Sequence, residues 1–240
     1  MIPSSSRRTW VFLILSSIAL WGPDLVVPSA WQHQPAYLLV SNVYQSFLVV
    51  AGFWFGPAIC RAMVVGEVKA GPVHDAICQA LDEIGRDRSI RRLPVTLFEH
   101  PQPFILTAGM LPSRCEIFIS TELARRLGPD GLSFQIARAT AHGLLPQRLV
   151  ALIPVLLLTV LFPDGFNWTT LMYSAIFLVA WLAMHWFFEL QADRQAARML
   201  GVDASVGLAE LLAATGGMAG KLSMHPPLRW RVHAISMRPK

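Results

Sequence analysis

Residues 168–198 read WTTLMYSAIFLVAWLAMHWFFELQADRQAAR, and the change of character inside that stretch decides the fold. Trp168 to Phe188 carries no Lys or Arg, and a bilayer crossing needs roughly 20 mostly apolar residues. Trp168 and Trp186, near its two ends, suit the aromatic belts at membrane–water interfaces. From Glu189 to Gly201 the pattern becomes that of an amphipathic helix stopped at a glycine. Glu189 stands where the two patterns meet, beside Trp186, Phe187 and Phe188. An unpaired carboxylate is costly there, so a partner is expected: Arg194, Arg198, a His or a metal. Without the span before it, Glu189-x-x-x-Asp193 would read as a solvated helix face.

Composition agrees with a membrane protein. The 240 residues are 54% hydrophobic and only 15% charged, with a mean hydropathy of +0.47; a soluble domain is about 25% charged. The net charge of +5 raises nucleic acid as a partner, but in so apolar a chain it indicates basic cytoplasmic loops, and no nucleic-acid partner is expected. Cys60, Cys78 and Cys115 have no zinc-like spacing and give no disulfide framework, which fits a reducing compartment.

The apolar run Trp10–Leu20 follows Arg7 and Arg8, and its spanning depends on the tail after Pro23. Its rival is a cleaved signal peptide; Pro28 suits a cleavage box poorly, so an uncleaved anchor is favoured. Tyr37 to Ile59 is a second span. Between Gly66 and Arg148 the composition is that of a soluble domain. Val73–Ile84 has helical spacing, while Leu93–Phe98 and Glu116–Ser120 read as short strands, the second half-buried by its alternation. His100–Ser113 is a long turn or an irregular edge strand. Thr121–Leu127 is a short helix stopped at Gly128-Pro129, and Asp130 or Ser133 N-caps the next. Leu149–Phe162 is a third apolar run, Pro163-Asp164-Gly165 a turn, and Ser205–Thr215 a last short helix.

The 20 Lys and Arg fall before the first span, within 57–148, and after residue 188; loops 21–36 and 163–167 have none. The positive-inside rule then predicts four spans, with both termini and the soluble portion in the cytoplasm. The expected units are a transmembrane hairpin (1–60), a cytoplasmic segment (61–148), a second hairpin (149–188) and a second cytoplasmic segment (189–240). The fold class expected is mainly α, integral membrane, with a small α+β domain holding a short antiparallel sheet.

Residues 137–147 read ARATAHGLLPQ. In an H-E-x-x-H helix two His one turn apart hold zinc and the Glu between them activates water. His142 stands at the first ligand position, Gly143 at the general-base position and Pro146 at the second ligand position. The order of spans, this helix and the later Glu189-x-x-x-Asp193 resembles the M48 membrane zinc metallopeptidases of the HtpX type. PFILTAGMLPSRCEIFISTEL (103–123) resembles that family's substrate-edge strand pair, with Pro103-Phe104-Ile105 at its start. MHPPLRWRVHAI (224–235) resembles the family's tail, where His225-Pro226-Pro227 reads as a rigid turn.

The resemblance implies a zincin-like domain at the cytoplasmic membrane, zinc held by His142 and Glu189 with Asp193 behind them, and work in membrane-protein proteolysis and quality control. Gly143 and Pro146 oppose it. Proline has no side-chain donor, and loss of a general base typically costs about 10²–10⁴ in rate. His185, four residues before Glu189, shares its helical face and is the candidate replacement ligand. Three readings stay open: a catalytically inactive pseudopeptidase that binds membrane-protein or peptide segments, or an active protease; a zinc endopeptidase rebuilt on His142, His185 and Glu189; and a non-catalytic membrane scaffold.

Overall fold

The structure is a computed structural model that describes residues 6–85, 91–144, 168–200, 204–214 and 226–236. The apolar run Leu149–Phe162 and the turn Pro163-Asp164-Gly165, together with Pro146 and His225, lie outside these residues.

The chain begins with an antiparallel helical hairpin. Helix α1 (Ser6–Val26) turns through the short α2 (Ser29–Gln32) into α3 (Pro35–Trp54), and α4 (Gly56–Met63) follows directly. Pro35 sits in the first turn of α3, where its missing N–H costs nothing. The turn is tied by the Gln32 amide, which donates to the carbonyls of Asp24 and Val27 at 2.6 and 2.8 Å, and by the Tyr37 hydroxyl on the Asp24 carboxylate. Tyr44 reaches back to the Ala19 carbonyl at 2.8 Å, fixing the antiparallel register of α1 and α3. No residue of α3 is buried, and Leu39, Val40, Val43 and Phe47 face outward. So large an exposed apolar surface marks contact with something other than water. Among the described residues two helices are long and apolar enough to cross a membrane: Pro35–Trp54 and Ala175–Leu200.

Helix α5 (Pro72–Ile84) opens the compact part, followed by β1 (Val95–Phe98), β2 (Ile105–Ala108), a 3₁₀ turn (Pro112–Arg114) and β3 (Glu116–Ser120). Helices α6 (Thr121–Arg126), α7 (Pro129–Leu144), α8 (Trp168–Leu200), α9 (Ala204–Ala214) and α10 (Leu228–Ser236) complete it. His100–Ser113 thus resolves into an edge strand with turns on both sides.

The sheet is mixed, in the order β1-β3-β2, rather than antiparallel as the sequence suggests. β2 runs antiparallel to β3 with Ile105 opposite Ile119, and β1 runs parallel to β3 with Val95 opposite Ile117. The chain reverses twice, between β1 and β2 and again between β2 and β3, so β1 and β3 point the same way once β3 inserts between the other two. Gly109, at φ +115°, makes the second reversal, and an added Cβ there would lie 2.6 Å from the Arg114 carbonyl oxygen.

A second correction concerns β3, whose five residues are all buried, not half-buried. Its alternation separates two covered faces instead of a wet one from a dry one. Ile117 and Ile119 pack toward α7, while Phe118 joins Cys60, Phe98 and Ala108 on the other side. The charge of Glu116 on that second side is met by Arg61 Nε at 2.7 Å and Thr96 Oγ1 at 2.6 Å.

Helix α7 is the axis of the compact part. Every residue from Gly131 to Ala141 is buried, between the sheet and helices α5, α8 and α9. Pro129 lies in its first turn, so neither Asp130 nor Ser133 is its N-cap. Glu210 of α9 does that work instead, accepting the Gly131 N–H at 2.7 Å and placing a negative charge at the positive end of the helix. On the other flank α8 runs unbroken across the 188/189 junction, so the apolar run and the amphipathic stretch form one helix.

Candidate functional site

Two four-residue intervals meet where α7 packs on α8. Arg138 and His142 lie one turn apart on α7, and Glu189 and Asp193 lie one turn apart on α8. Residues so spaced share a helical face, so the contact forms a small ladder of opposite charges. The Arg138 guanidinium spans both carboxylates, donating through Nε to Asp193 Oδ1 at 2.9 Å and through Nη2 to Glu189 Oε2 in a short ion pair. Nε2 of His142 lies 3.3 Å from the other oxygen of Glu189. Arg231 of α10 then closes the cluster with a two-pronged grip on Asp193, Nε to Oδ2 at 2.7 Å and Nη2 to Oδ1 at 3.0 Å.

Water is nearly excluded. The side chain of Asp193 is 0% exposed, Glu189 7%, Arg231 8% and Arg138 10%. Burial alone pulls the Arg138 pKa down, but the Glu189 and Asp193 carboxylates outweigh it and leave the guanidinium above the ordinary arginine value. Two guanidinium groups thus face two carboxylates, each carboxylate held by charge-assisted hydrogen bonds. A buried pair of this kind adds little net stability over an apolar core, yet removing one member costs about 3–5 kcal/mol because the other charge is left buried alone.

The partner that Glu189 requires is therefore supplied by Arg138 and His142 on α7, beyond the local Arg194 and Arg198 that the sequence offers. Asp193, expected behind the site, is its most enclosed member. The sequence reading missed Arg138 and Arg231. The signal for Arg138 is present in the spacing, because Arg138-x-x-x-His142 has the same interval as Glu189-x-x-x-Asp193. The approach of Arg231 depends on the tail's return to α8, which spacing does not reveal.

The general-base position is filled by packing. Gly143 is buried against the strand side of α7, and an added Cβ would fall 2.3 Å from Leu93 Cδ1 and 3.4 Å from both Cys115 Cβ and Thr107 Cγ2. Leu93, Cys115, Ile117 and Ala139 form one apolar cluster there. A carboxylate at 143 would require Leu93 to move and would then point into that cluster. β2 is tied to the same helix by Thr107 Oγ1, which donates to the Ala139 carbonyl at 2.9 Å.

Of the predicted edge-strand residues, Pro103 leads into β2, Phe104 pairs with Ser120 through backbone and hydroxyl bonds at 2.9 Å, and Ile105 begins the strand. β2 is an outer strand of the sheet. The His185 ring stacks on Trp181, with centroids 5.5 Å apart and planes within 5°.

A catalytic zinc takes three protein ligands plus water. Among the described residues no three His, Cys, Asp or Glu side chains are grouped in that way. His142 and Glu189 supply two donors, and the Arg138 cation bonded to Glu189 opposes a second positive charge at the same carboxylate. The described residues do not fit a catalytic zinc centre. They fit an ionic clasp joining three helices.

No protein-family model, curated protein or solved structure matches the chain.

Proposed function

We propose that this chain is an integral membrane protein built like an M48 peptidase in which an ionic clasp stands in place of the zinc centre. It acts as a pseudopeptidase that holds extended segments of membrane proteins, or a partner protease, without cutting peptide bonds. The observation carrying this reading is the Arg138 guanidinium joined to both Glu189, the carboxylate a peptidase would give to its metal, and Asp193 behind it. Leu93 packed against Gly143 supports it from the general-base side. The outer strand β2, tied by Thr107 to the clasp helix, is the place for an extended segment to add by strand pairing.

The same reading has four spans in the cytoplasmic membrane, with both termini and the compact part in the cytoplasm. Charge along the hairpin supports that direction. Arg7 and Arg8 begin α1, and Arg114 lies 4.5 Å over the Trp54 ring where α3 ends, whereas the far turn carries Asp24 and no Lys or Arg.

A second reading keeps one specific support. The 3.3 Å between His142 Nε2 and Glu189 Oε1 also suits two ligands of a tetrahedral ion, each at ~2.1 Å. Incubating the purified full chain with casein and with a membrane-protein substrate separates the two. The pseudopeptidase reading expects intact substrate with or without added zinc, and co-purification of the substrate that weakens when β2 is altered. Chelator-sensitive cleavage that disappears in His142→Ala would establish the zinc peptidase instead. If partner capture is indifferent to β2, His142 and Glu189 alike, a plain membrane scaffold remains.

A further inference from the structure

The basic end of the hairpin contains a groove that neither the clasp nor β2 uses. It lies between the first turns of α1 and the end of α4, is open along one side with a volume of about 770 Å³, and is lined by Arg7, Arg8, Phe12, Leu15, Ile59 and Ala62 among others. Small-molecule sites typically occupy ~300–1,000 Å³. Its lining includes no acidic residue. Arg8 is pinned across the groove's edge, its Nη1 donating to the carbonyls of Ala62 at 2.9 Å and Val64 at 2.8 Å. These bonds hold α1 to α4 and place the guanidinium at the groove's edge. The Arg7 guanidinium has no hydrogen-bond or ion-pair partner among the described residues.

The antiparallel register sets the depth of the groove in the bilayer. Tyr44 meets Ala19 and Tyr37 meets Asp24, so the Arg8 end of α1 lies level with the Trp54 end of α3. Trp10, Trp54 and Arg114 stand near that level, the mixture of aromatic and basic side chains that suits a headgroup boundary. Below it the groove wall is apolar through Phe12, Leu15 and Ile59.

We propose that this groove seats one anionic phospholipid, its phosphate against Arg7 and Arg8 and an acyl chain along Phe12, Leu15 and Ile59. Cationic mouth and apolar depth match the two parts of such a lipid; a free phosphate lacks the apolar part, and a zwitterionic headgroup brings its own cation toward the two arginines. The inference rests on the hairpin standing in the bilayer, which extraction of membranes with alkaline carbonate tests separately.

The experiment places the full-length chain in phosphatidylcholine nanodiscs containing a minority of phosphatidylglycerol and quantifies the lipid retained after detergent exchange. Retention of about one phosphatidylglycerol per chain, enriched over phosphatidylcholine, is expected. Arg7→Gln lowers the enrichment about fivefold, and Ala62→Trp, which fills the groove and keeps both arginines, abolishes it. Leu15→Trp fills the same groove from α1 if Ala62→Trp fails to fold. Soluble glycerol phosphate does not displace the lipid. Equal retention of the two lipids, or unchanged enrichment in a folded groove-filling variant, overturns the proposal.

Discussion

Removing Asp193 tests the clasp at its centre. Its carboxylate is fully enclosed and accepts three bonds, one from Arg138 and two from Arg231. Asp193→Leu deletes the acceptor for all three and leaves the Arg231 guanidinium, 8% exposed, with no counter-charge among its described contacts. Arg138 keeps Glu189, so its loss is partial. Breaking one side of a buried pair costs about 3–5 kcal/mol. In a chain of this size each kcal/mol moves the midpoint by about 2–4 °C, so Asp193→Leu is expected to lower the Tm by roughly 6–20 °C. The assay is thermal unfolding of the full chain in a fixed detergent, followed by tryptophan emission. Arg231→Met is expected to fall in the same range, because it leaves Asp193 underpaired. The double variant should lose less than the sum of the singles by about 2 kcal/mol, the coupling of groups in contact. Additive losses, or single changes within about 0.5 kcal/mol as at an ordinary surface site, would refute the clasp.

Three further outcomes follow from particular contacts. Gly143→Ala gains about 1 kcal/mol in helix propensity but drives a methyl to 2.3 Å from Leu93. Overpacking costs about 1–3 kcal/mol, so a net loss is expected in denaturant titration, and Leu93→Ala in the same chain should remove the penalty of the added methyl. Glu210→Ala withdraws the cap from Gly131 and should cost about 1 kcal/mol, with faster amide exchange confined to the first turn of α7. Gly143→Glu combined with Pro146→His restores the motif in writing only. Leu93 occupies the base position and Arg138 engages Glu189, so no casein cleavage is expected with zinc supplied.

Much of the helical frame is legible in the sequence because it depends on local chemistry. Gly128-Pro129 ends α6 where the breakers stand, and Val73–Ile84 forms α5 on its apolar spacing. The apolar run through Phe188 and the amphipathic stretch after it are both legible, and so is their continuity, which the shared helical face of His185 and Glu189 requires. The errors have a common cause in partners distant along the chain. The alternation of β3 is real, but what covers its second face is α4, more than 50 residues earlier, through contacts such as Arg61–Glu116. The start of α7 is capped by Glu210, 79 residues on, so no local Asp or Ser is needed. At the site, the resemblance to the zinc peptidases groups Glu189, Asp193 and His142, and the chemistry of a buried carboxylate requires a partner for Glu189. Neither identifies Arg138 as that partner, because the zinc motif directs attention to residues 142, 143 and 146 and away from the residue one turn earlier.

The central claim is that a guanidinium, and not a metal, satisfies Glu189. Zinc stoichiometry measures this most directly: the full chain purified without chelator, its metal content determined by mass spectrometry, and its Tm recorded with added zinc and with chelator. The account predicts no stoichiometric zinc and a midpoint unmoved by either addition. One zinc per chain, lost together with several degrees of Tm in His142→Ala, would contradict it.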